Sequence, residues 1–556
     1  MMPIGTSFSI GLWGLKAYTI QIQAFTSPGL PAFSIIGLPD TSLAEARERV
    51  KSACMIAGFT WPQTRVTVNL SPASVPKSGS SFDLAIAASI LASSRMIETQ
   101  TLGNSLVIGE LNLDGSVMPV RGILPMLLYA KHSGISTVFV PQDNIEEAKL
   151  VQGLDIIGIC HIAQFILCCN PTGTLRKTMR KRYGPLCDCT DPAQDRRWAG
   201  VLPQTGSRKA LSALIDDRYA EEEEQLDFSQ VIGQTQAKRA LEAAAAGGHH
   251  MIMTGPPGAG KTMLAKRLPT ILPPLTEEQK LEVASIKSLC GTLHKDIHDL
   301  FPPFEAPHHT ASTASLIGGG SGFASPGSIT RAHNGVLFMD EAPEFSTQCL
   351  QSLREPLEEG VISLARSKGT TFYPARFQLI MAANPCPCGF NWGNGQRCTC
   401  TPRQRNKYWG RLSGPIMDRI DIHIKVDAPT LSDMETTQLM FAREEKEAGP
   451  EPLNGLYYSS EHMRERVSAA RQRAFLRFEC FPWKTNAAAP GGWLRENTPR
   501  TAMAYLRKAA EKQELSMRGT DRVLRIAWTL CDLAGASQPD EGHILEAIGL
   551  RTGETP

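Results

Sequence analysis

The stretch GPPGAGKT, residues 255–262, decides the fold. It follows the apolar run MIMT and precedes the helical MLAKRL, so the order is strand, glycine-rich loop, helix. That order aims backbone N–H groups and the positive end of a helix dipole at one point, which suits a phosphate chain. The spacing G-x-x-x-x-G-K-[ST] supplies every part of such a cradle. Gly255, Pro256, Pro257, Gly258, Ala259 and Gly260 wrap the phosphates, Lys261 reaches the β- and γ-phosphates, and the Thr262 hydroxyl ligates a metal ion. ATP and Mg²⁺ are the expected cofactors.

Two later strands carry the complementary groups. The apolar GVLFMDE ends in Asp340 and Glu341, and a parallel sheet binds ligands at the carboxyl ends of its strands. Asp340 is expected to hold Mg²⁺ through water, and Glu341 to orient and polarise the attacking water. A third strand, FQLIMAAN, ends in Asn384, whose amide is placed to position the same water. Alone, a strand ending in Asp-Glu or in Asn says little. Downstream of residues 255–262 the set becomes coherent.

With 556 residues the chain is too long for one core and calls for two to four domains. Hydrophobic residues are 42% and charged residues 20%, and the net charge is only +2, so any nucleic-acid surface must be local. No apolar run approaches the ~20 residues of a membrane span. The start, MMPIGTSFSIGLWGL, lacks the basic region and cleavage site of a signal peptide. Fourteen scattered cysteines fit a reducing, cytoplasmic setting better than a disulfide framework. Short β-like runs alternating with helical stretches mark residues 1–169 as a mixed α/β domain. Residues 170–226, with the basic RKTMRKR and an acidic run of four glutamates, read as a solvated linker. Residues 227–427 form the nucleotide core, and residues 428–556 turn helical.

The phrases FSIIGLPD, GGHHMIMTGPPGAGKTMLAKRLP, APHHTAS, AHNGVLFMDE, NPCPCG and LSGPIMDRID run nearly the whole length. In this order they resemble AAA+ ATPases of the magnesium-chelatase-like branch, and within it the ComM/YifB family. The resemblance implies an α/β architecture: an AAA+ P-loop core with a parallel sheet and helical lid, preceded by a Lon-protease-like (ribosomal S5-type) domain. It implies a ring, a homo-hexamer, with ATP bound between subunits. Arg419 in DRID then matches the arginine finger offered to a neighbour, with Arg411 a weaker candidate. Arg518 in LSMRG matches the lid sensor that contacts phosphate, with Arg522 its competitor. The family's implied role is helicase and branch-migration activity on recombination intermediates in natural transformation. A chelatase-type motor acting on a protein partner is the alternative, and an ATP-dependent protease is a third reading.

The protease reading meets a chemical obstacle. PKSGSSFD, residues 76–83, is similar to the segment carrying the Lon serine nucleophile, and Ser81 falls at the matching position. A serine needs a general base. Leu124 occupies the position of the Lon lysine, and Lys131 lies about two helical turns further on. A degenerate domain reused for binding or assembly is expected.

Residues 361–417 hold eight basic residues and no Asp or Glu, interleaved with seven aromatics. Basic side chains meet phosphates and aromatic rings stack on bases. ISLARSKGTTFYPARF reads as a hairpin with Lys-Gly at its turn. In the resembling branch a hairpin here projects into the ring channel, which makes Arg366 and Lys368 the candidates for DNA contact. The bland alternative is a solvated basic hairpin touching only neighbouring subunits. Beyond Asn384 stand Cys386, Cys388, Cys398 and Cys400. Two C-x-C pairs can hold Zn²⁺, though C-x-C is tighter than the usual zinc spacing. Free thiols and a redox switch are the other readings. His308 and His309 have no metal-type neighbours at ligand spacing and are expected to pack a loop.

Overall fold

The strand Arg65–Ser71 reads RVTVNLS, and Val66, Val68 and Leu70 are buried while the residues between them are not. This two-residue period is that of a sheet packed on one face. In the computed structural model, residues 4–37, 40–72, 77, 80–184, 186, 198, 226–293, 301–319, 325–366, 369–412, 414–428, 459–512 and 515–553 are described. They fall into two compact units, one of residues 1–220, 284–300 and 365–372, the other of residues 221–283, 301–364 and 373–556.

The first unit is built on a seven-stranded mixed sheet in the order Ala32–Ile36, Arg65–Ser71, Lys16–Ser27, Ile4–Trp13, Ser105–Val107, Thr137–Pro141, Asp155–Ile159. Ile4–Trp13 pairs antiparallel along its full length with residues 16–25 of Lys16–Ser27, and the last three strands run parallel to one another. The helix Asp83–Ser93 is buried on every side, as its sequence DLAIAASILAS requires. Its first residue, Asp83, is tied to Arg49 Nε at 2.7 Å. Leu124 lies on the helix Ile123–His132, wholly buried in an apolar cluster with Ile10, Leu106, Leu127 and Val138.

The start of the segment expected as a linker belongs to this core. Gly173–Tyr183 is a helix, and Leu175 and Met179, four residues apart and so on one face, are buried in the same cluster as Trp198. Residues 199–225 lie outside the described residues. The basic residues of RKTMRKR form the exposed face of this helix, and the acidic run lies outside the described residues.

The second unit has a five-stranded parallel sheet in the order Phe304–Glu305, Val336–Met339, Gln378–Ala383, Met251–Thr254, Ile422–Lys425. Its inner strands read as continuous apolar runs because helices cover both faces. Thr254 pairs with Ala383 and Met339 with Met381, so three neighbouring strands end side by side at Gly255, Asp340 and Asn384. The C-terminal helices Ser460–Arg477 and Met517–Ala534 share one apolar core with this sheet and with the helix Thr235–Gly247.

Val361–Arg366 and Gly369–Pro374 form the two-stranded hairpin expected from their sequence. Arg366 is exposed, and Lys368 lies outside the described residues. Residues 365–372 group with the first unit, where Trp13 Nε1 donates to the Thr370 carbonyl at 3.2 Å.

Candidate active site

The loop after Met251–Thr254 turns on two glycines with left-handed backbone, Gly258 (φ 80°) and Gly260 (φ 79°), which a side chain would strain. The helix Lys261–Ile271 begins directly afterwards. Lys261 Nζ donates to the carbonyls of Gly255 at 2.7 Å and Pro256 at 2.9 Å, and to Asn384 Oδ1 at 3.2 Å. Burial pushes the Lys261 pKa below the ordinary lysine value, against the pull of Asp340 and Glu341. An arriving polyphosphate would supply the negative charge this ammonium lacks.

Thr262 Oγ1 donates to Asp340 Oδ2 at 2.6 Å, and Asp340 Oδ1 accepts from the Glu341 backbone N–H at 2.9 Å. A hydroxyl and a carboxylate at that distance are the pair a Mg²⁺ ion would take over, one directly and one through water. Glu341 adopts a left-handed backbone, φ 50°, unusual for a residue with a side chain. Its carbonyl accepts from Glu344 N–H at 2.7 Å, so a tight turn holds the conformation. Glu341 Oε2 lies 3.1 Å from His309 Nδ1. Sequence reasoning had assigned His309 to loop packing. The structure brings it across to the expected water-polarising carboxylate. Among the described residues, neither His308 nor His309 belongs to a cluster of metal-type ligands.

The arginines separate clearly. Arg518 is exposed, its side chain 80% accessible, with a contact to Asp418 at 3.3 Å. Its competitor Arg522 is 13% accessible and pairs with Asp421, so it is committed inside the unit. Arg411 is engaged with Glu344 at 2.8 Å and with the Pro343 carbonyl at 3.0 Å. Arg419 pairs with Glu358 and with the Pro415 carbonyl. Burial, then the nearby Arg354, Arg522 and Arg518, lower its pKa from the usual guanidinium value.

Asp421 links this region to the lid. His249 Nδ1 lies 2.9 Å from Asp421 Oδ2, and His249 Nε2 lies 2.8 Å from Thr529 Oγ1 on the helix Met517–Ala534. Burial alone would raise the Asp421 pKa. The His249 hydrogen bond, with Arg522 and Arg525, outweighs this and holds it far below the usual carboxylate range. Only Ile420 separates Arg419 from Asp421, so the arginine's position is coupled to the lid helix through one buried network. The signal available in sequence was the polar pair His249–His250 ahead of an apolar strand.

Of the basic residues in 361–417, Arg405 donates to Asn391 Oδ1 at 2.7 Å and Arg397 stacks 4.4 Å from the Phe390 ring centroid. Arg403 and Lys407 are exposed on the helix Pro402–Trp409.

Comparison with known proteins agrees with this architecture. Three family models match: Magnesium chelatase, subunit ChlI, at residues 227–434; Subunit ChlI of Mg-chelatase at residues 22–144; and Magnesium chelatase, subunit ChlI C-terminal, at residues 458–551. The uncharacterized protein Rv2897c of Mycobacterium tuberculosis is 40% identical, over 99% of both chains. The uncharacterized protein YifB of Escherichia coli is 36% identical over 97% of this chain and 95% of its own. The competence protein ComM of Haemophilus influenzae is 35% identical over 99% of this chain and 98% of its own. A Lon protease of Mycolicibacterium smegmatis is 26% identical over 29% of this chain and 22% of its own, a Lon-like similarity in the N-terminal region. No described helix is long and apolar enough to cross a membrane. The AAA+ core implies ATPase activity with ATP and Mg²⁺, and the chain belongs to the ComM/YifB family of magnesium-chelatase-like AAA+ proteins.

Proposed function

We propose that the protein is an ATP-driven, ring-forming DNA translocase and helicase that promotes branch migration of recombination intermediates. One observation carries the reading. The strand that ends at Asn384, beside Lys261, lies inside a run of 57 residues with eight basic residues and no acidic one. Energy transduction and a phosphate-binding surface therefore share one segment, and a change at the γ-phosphate has a short path to DNA. The Haemophilus relative is named a competence protein, which supports this reading.

In this account Lys261 and the loop of residues 255–260 hold the triphosphate, and Thr262 and Asp340 would hold Mg²⁺, which would supply positive charge against the phosphates. Glu341 and Asn384 set the attacking water. Arg419 of a neighbouring subunit neutralises charge on the transferred phosphoryl, and Arg518 couples phosphate to the lid. In this account the sites lie between the subunits of a homo-hexamer. The family models, named for magnesium chelatase, support a second reading, a motor acting on a protein partner.

Salt separates the two readings. In Arg366→Ala/Lys368→Ala, up to two phosphate contacts per engaged subunit are lost, so the slope of log K against log salt becomes shallower by roughly 0.7 to 0.9 per contact. Basal ATPase survives, while DNA-stimulated ATPase falls. An unchanged slope in intact rings removes the hairpin from the DNA path. A parent protein whose ATPase ignores DNA altogether favours the chelatase-type motor.

A further inference from the structure

We propose that Cys386, Cys388, Cys398 and Cys400 hold one structural Zn²⁺ ion. All four Sγ atoms lie within 4.8 Å of one another. Cys386 and Cys388 sulfurs are 3.3 Å apart, and each is 3.7 Å from the Cys398 sulfur. A tetrahedral site with Zn–S of about 2.3 Å has S···S edges of about 3.8 Å, close to these separations. A disulfide would need about 2.0 Å, and all four cysteines are free thiols.

The surroundings are those of a metal knuckle. Gly389 N–H donates to the Cys386 carbonyl at 2.9 Å and Cys398 N–H to the Gly395 carbonyl at 3.0 Å, so tight turns shape the backbone at both C-x-C pairs. Sulfur-only donors select a soft metal, and four protein ligands close the tetrahedron, leaving no open position for catalysis.

The fold also has a use for such an ion. Residues 384–401 connect the strand Gln378–Ala383 to the helix Pro402–Trp409 with no helix or strand of their own. Within this loop only Cys386 among the four cysteines is buried, so apolar packing contributes little at the cluster. Gly389, at φ 81°, packs so close that a Cβ there would come 2.6 Å from Pro257 of the phosphate loop. At its start, Trp409 Nε1 donates to the Pro385 carbonyl at 3.1 Å. A metal between the cysteine pairs fixes the loop that leaves Asn384 and backs onto the nucleotide cradle.

The test uses the full chain, purified without added metal or a metal-affinity tag. Elemental analysis should find one zinc per chain. A mercurial titrating the cluster thiols should release it in step, read with a metal-binding dye. Protein loaded with Co²⁺ instead should show the intense bands of a tetrahedral tetrathiolate site. Cys398→Ser and Cys388→Ser should lose most of the metal. If these variants fail to fold, the mercurial titration of the parent protein decides. Metal-free protein with freely titrating thiols, iron at the same stoichiometry, or zinc retained in folded variants would each overturn the proposal. None of these readouts depends on ATP or DNA.

Discussion

His309 Nδ1 sits 3.1 Å from Glu341 Oε2, so the carboxylate expected to polarise water is held by a ring from a loop 32 residues upstream. A carboxylate engaged by an imidazole ring is not free to orient water at the γ-phosphate. His309→Ala should therefore raise basal ATPase several-fold and narrow the stimulation by DNA. Steady-state turnover with and without DNA checks this. A fall to the level of Glu341→Gln would mean instead that His309 positions the carboxylate for the reaction.

The two halves of the site separate in binding and turnover. Lys261→Ala should weaken ATP binding, because it removes the ammonium that meets the phosphates. Glu341→Gln should bind ATP as the parent does and turn over slower by on the order of 10³-fold. Fluorescent-nucleotide titration beside single-turnover hydrolysis distinguishes these. Parent-rate hydrolysis by Glu341→Gln contradicts the assignment.

Arg419→Ala should lower ATPase by on the order of 10³-fold or more, as for an arginine finger. Mixed with Lys261→Ala protein it should recover partial activity, because some mixed interfaces join an intact site to an intact finger. Glu358, its partner within the chain, is dispensable for that role, so Glu358→Gln should retain most activity. Assembled mixed rings with no recovery contradict a role in trans.

Ser81→Ala should leave every activity unchanged. Position 124, where the resemblance to Lon calls for a lysine, carries a leucine buried among Ile10, Leu106 and Leu127. Covalent labelling of Ser81 by a fluorophosphonate would contradict this.

Two partly buried histidines set an acid limit. Burial lowers the pKa of His250 and of His423 from 6.5 to about 4. His250 Nδ1 accepts from the Leu379 N–H at 3.0 Å, and His423 Nε2 faces Arg551 at 2.9 Å, so both rings are needed neutral. The unfolded chain binds these protons near pH 6.5 and the folded chain does not, so stability is full above 6.5 and falls as pH drops toward 4. By pH 4 the loss is on the order of 3 kcal/mol per ring. Thermal melting at pH 7.5, 6 and 5 should show the decline, and His250→Gln should flatten it. The same slope in the parent and that variant would contradict the account.

The nucleotide cradle was legible because its parts are local. A loop of fixed spacing between a strand and a helix, and apolar strands ending in Asp340 and Asn384, are readable without tertiary information. The partners were not. His309 meets Glu341, and Asp421 joins His249 to Thr529, only because the sheet order brings separate strand ends together. The helix Gly173–Tyr183 was hidden by its own charge, since only two of its side chains are buried. Motif position ranks Arg518 ahead of Arg522 without saying why, and the structure leaves the first exposed and pairs the second with Asp421.

The central claim is that ATP turnover moves DNA, and a synthetic branched junction tests it directly. The labelled junction is incubated with protein and ATP, and strand exchange is followed beside phosphate release. The account predicts that the junction stimulates ATPase and that labelled strand is released in ATP. With a non-hydrolysable analogue, or with Glu341→Gln, no strand should be released. A protein that hydrolyses ATP at one rate with or without the junction, and leaves it intact, would contradict the account.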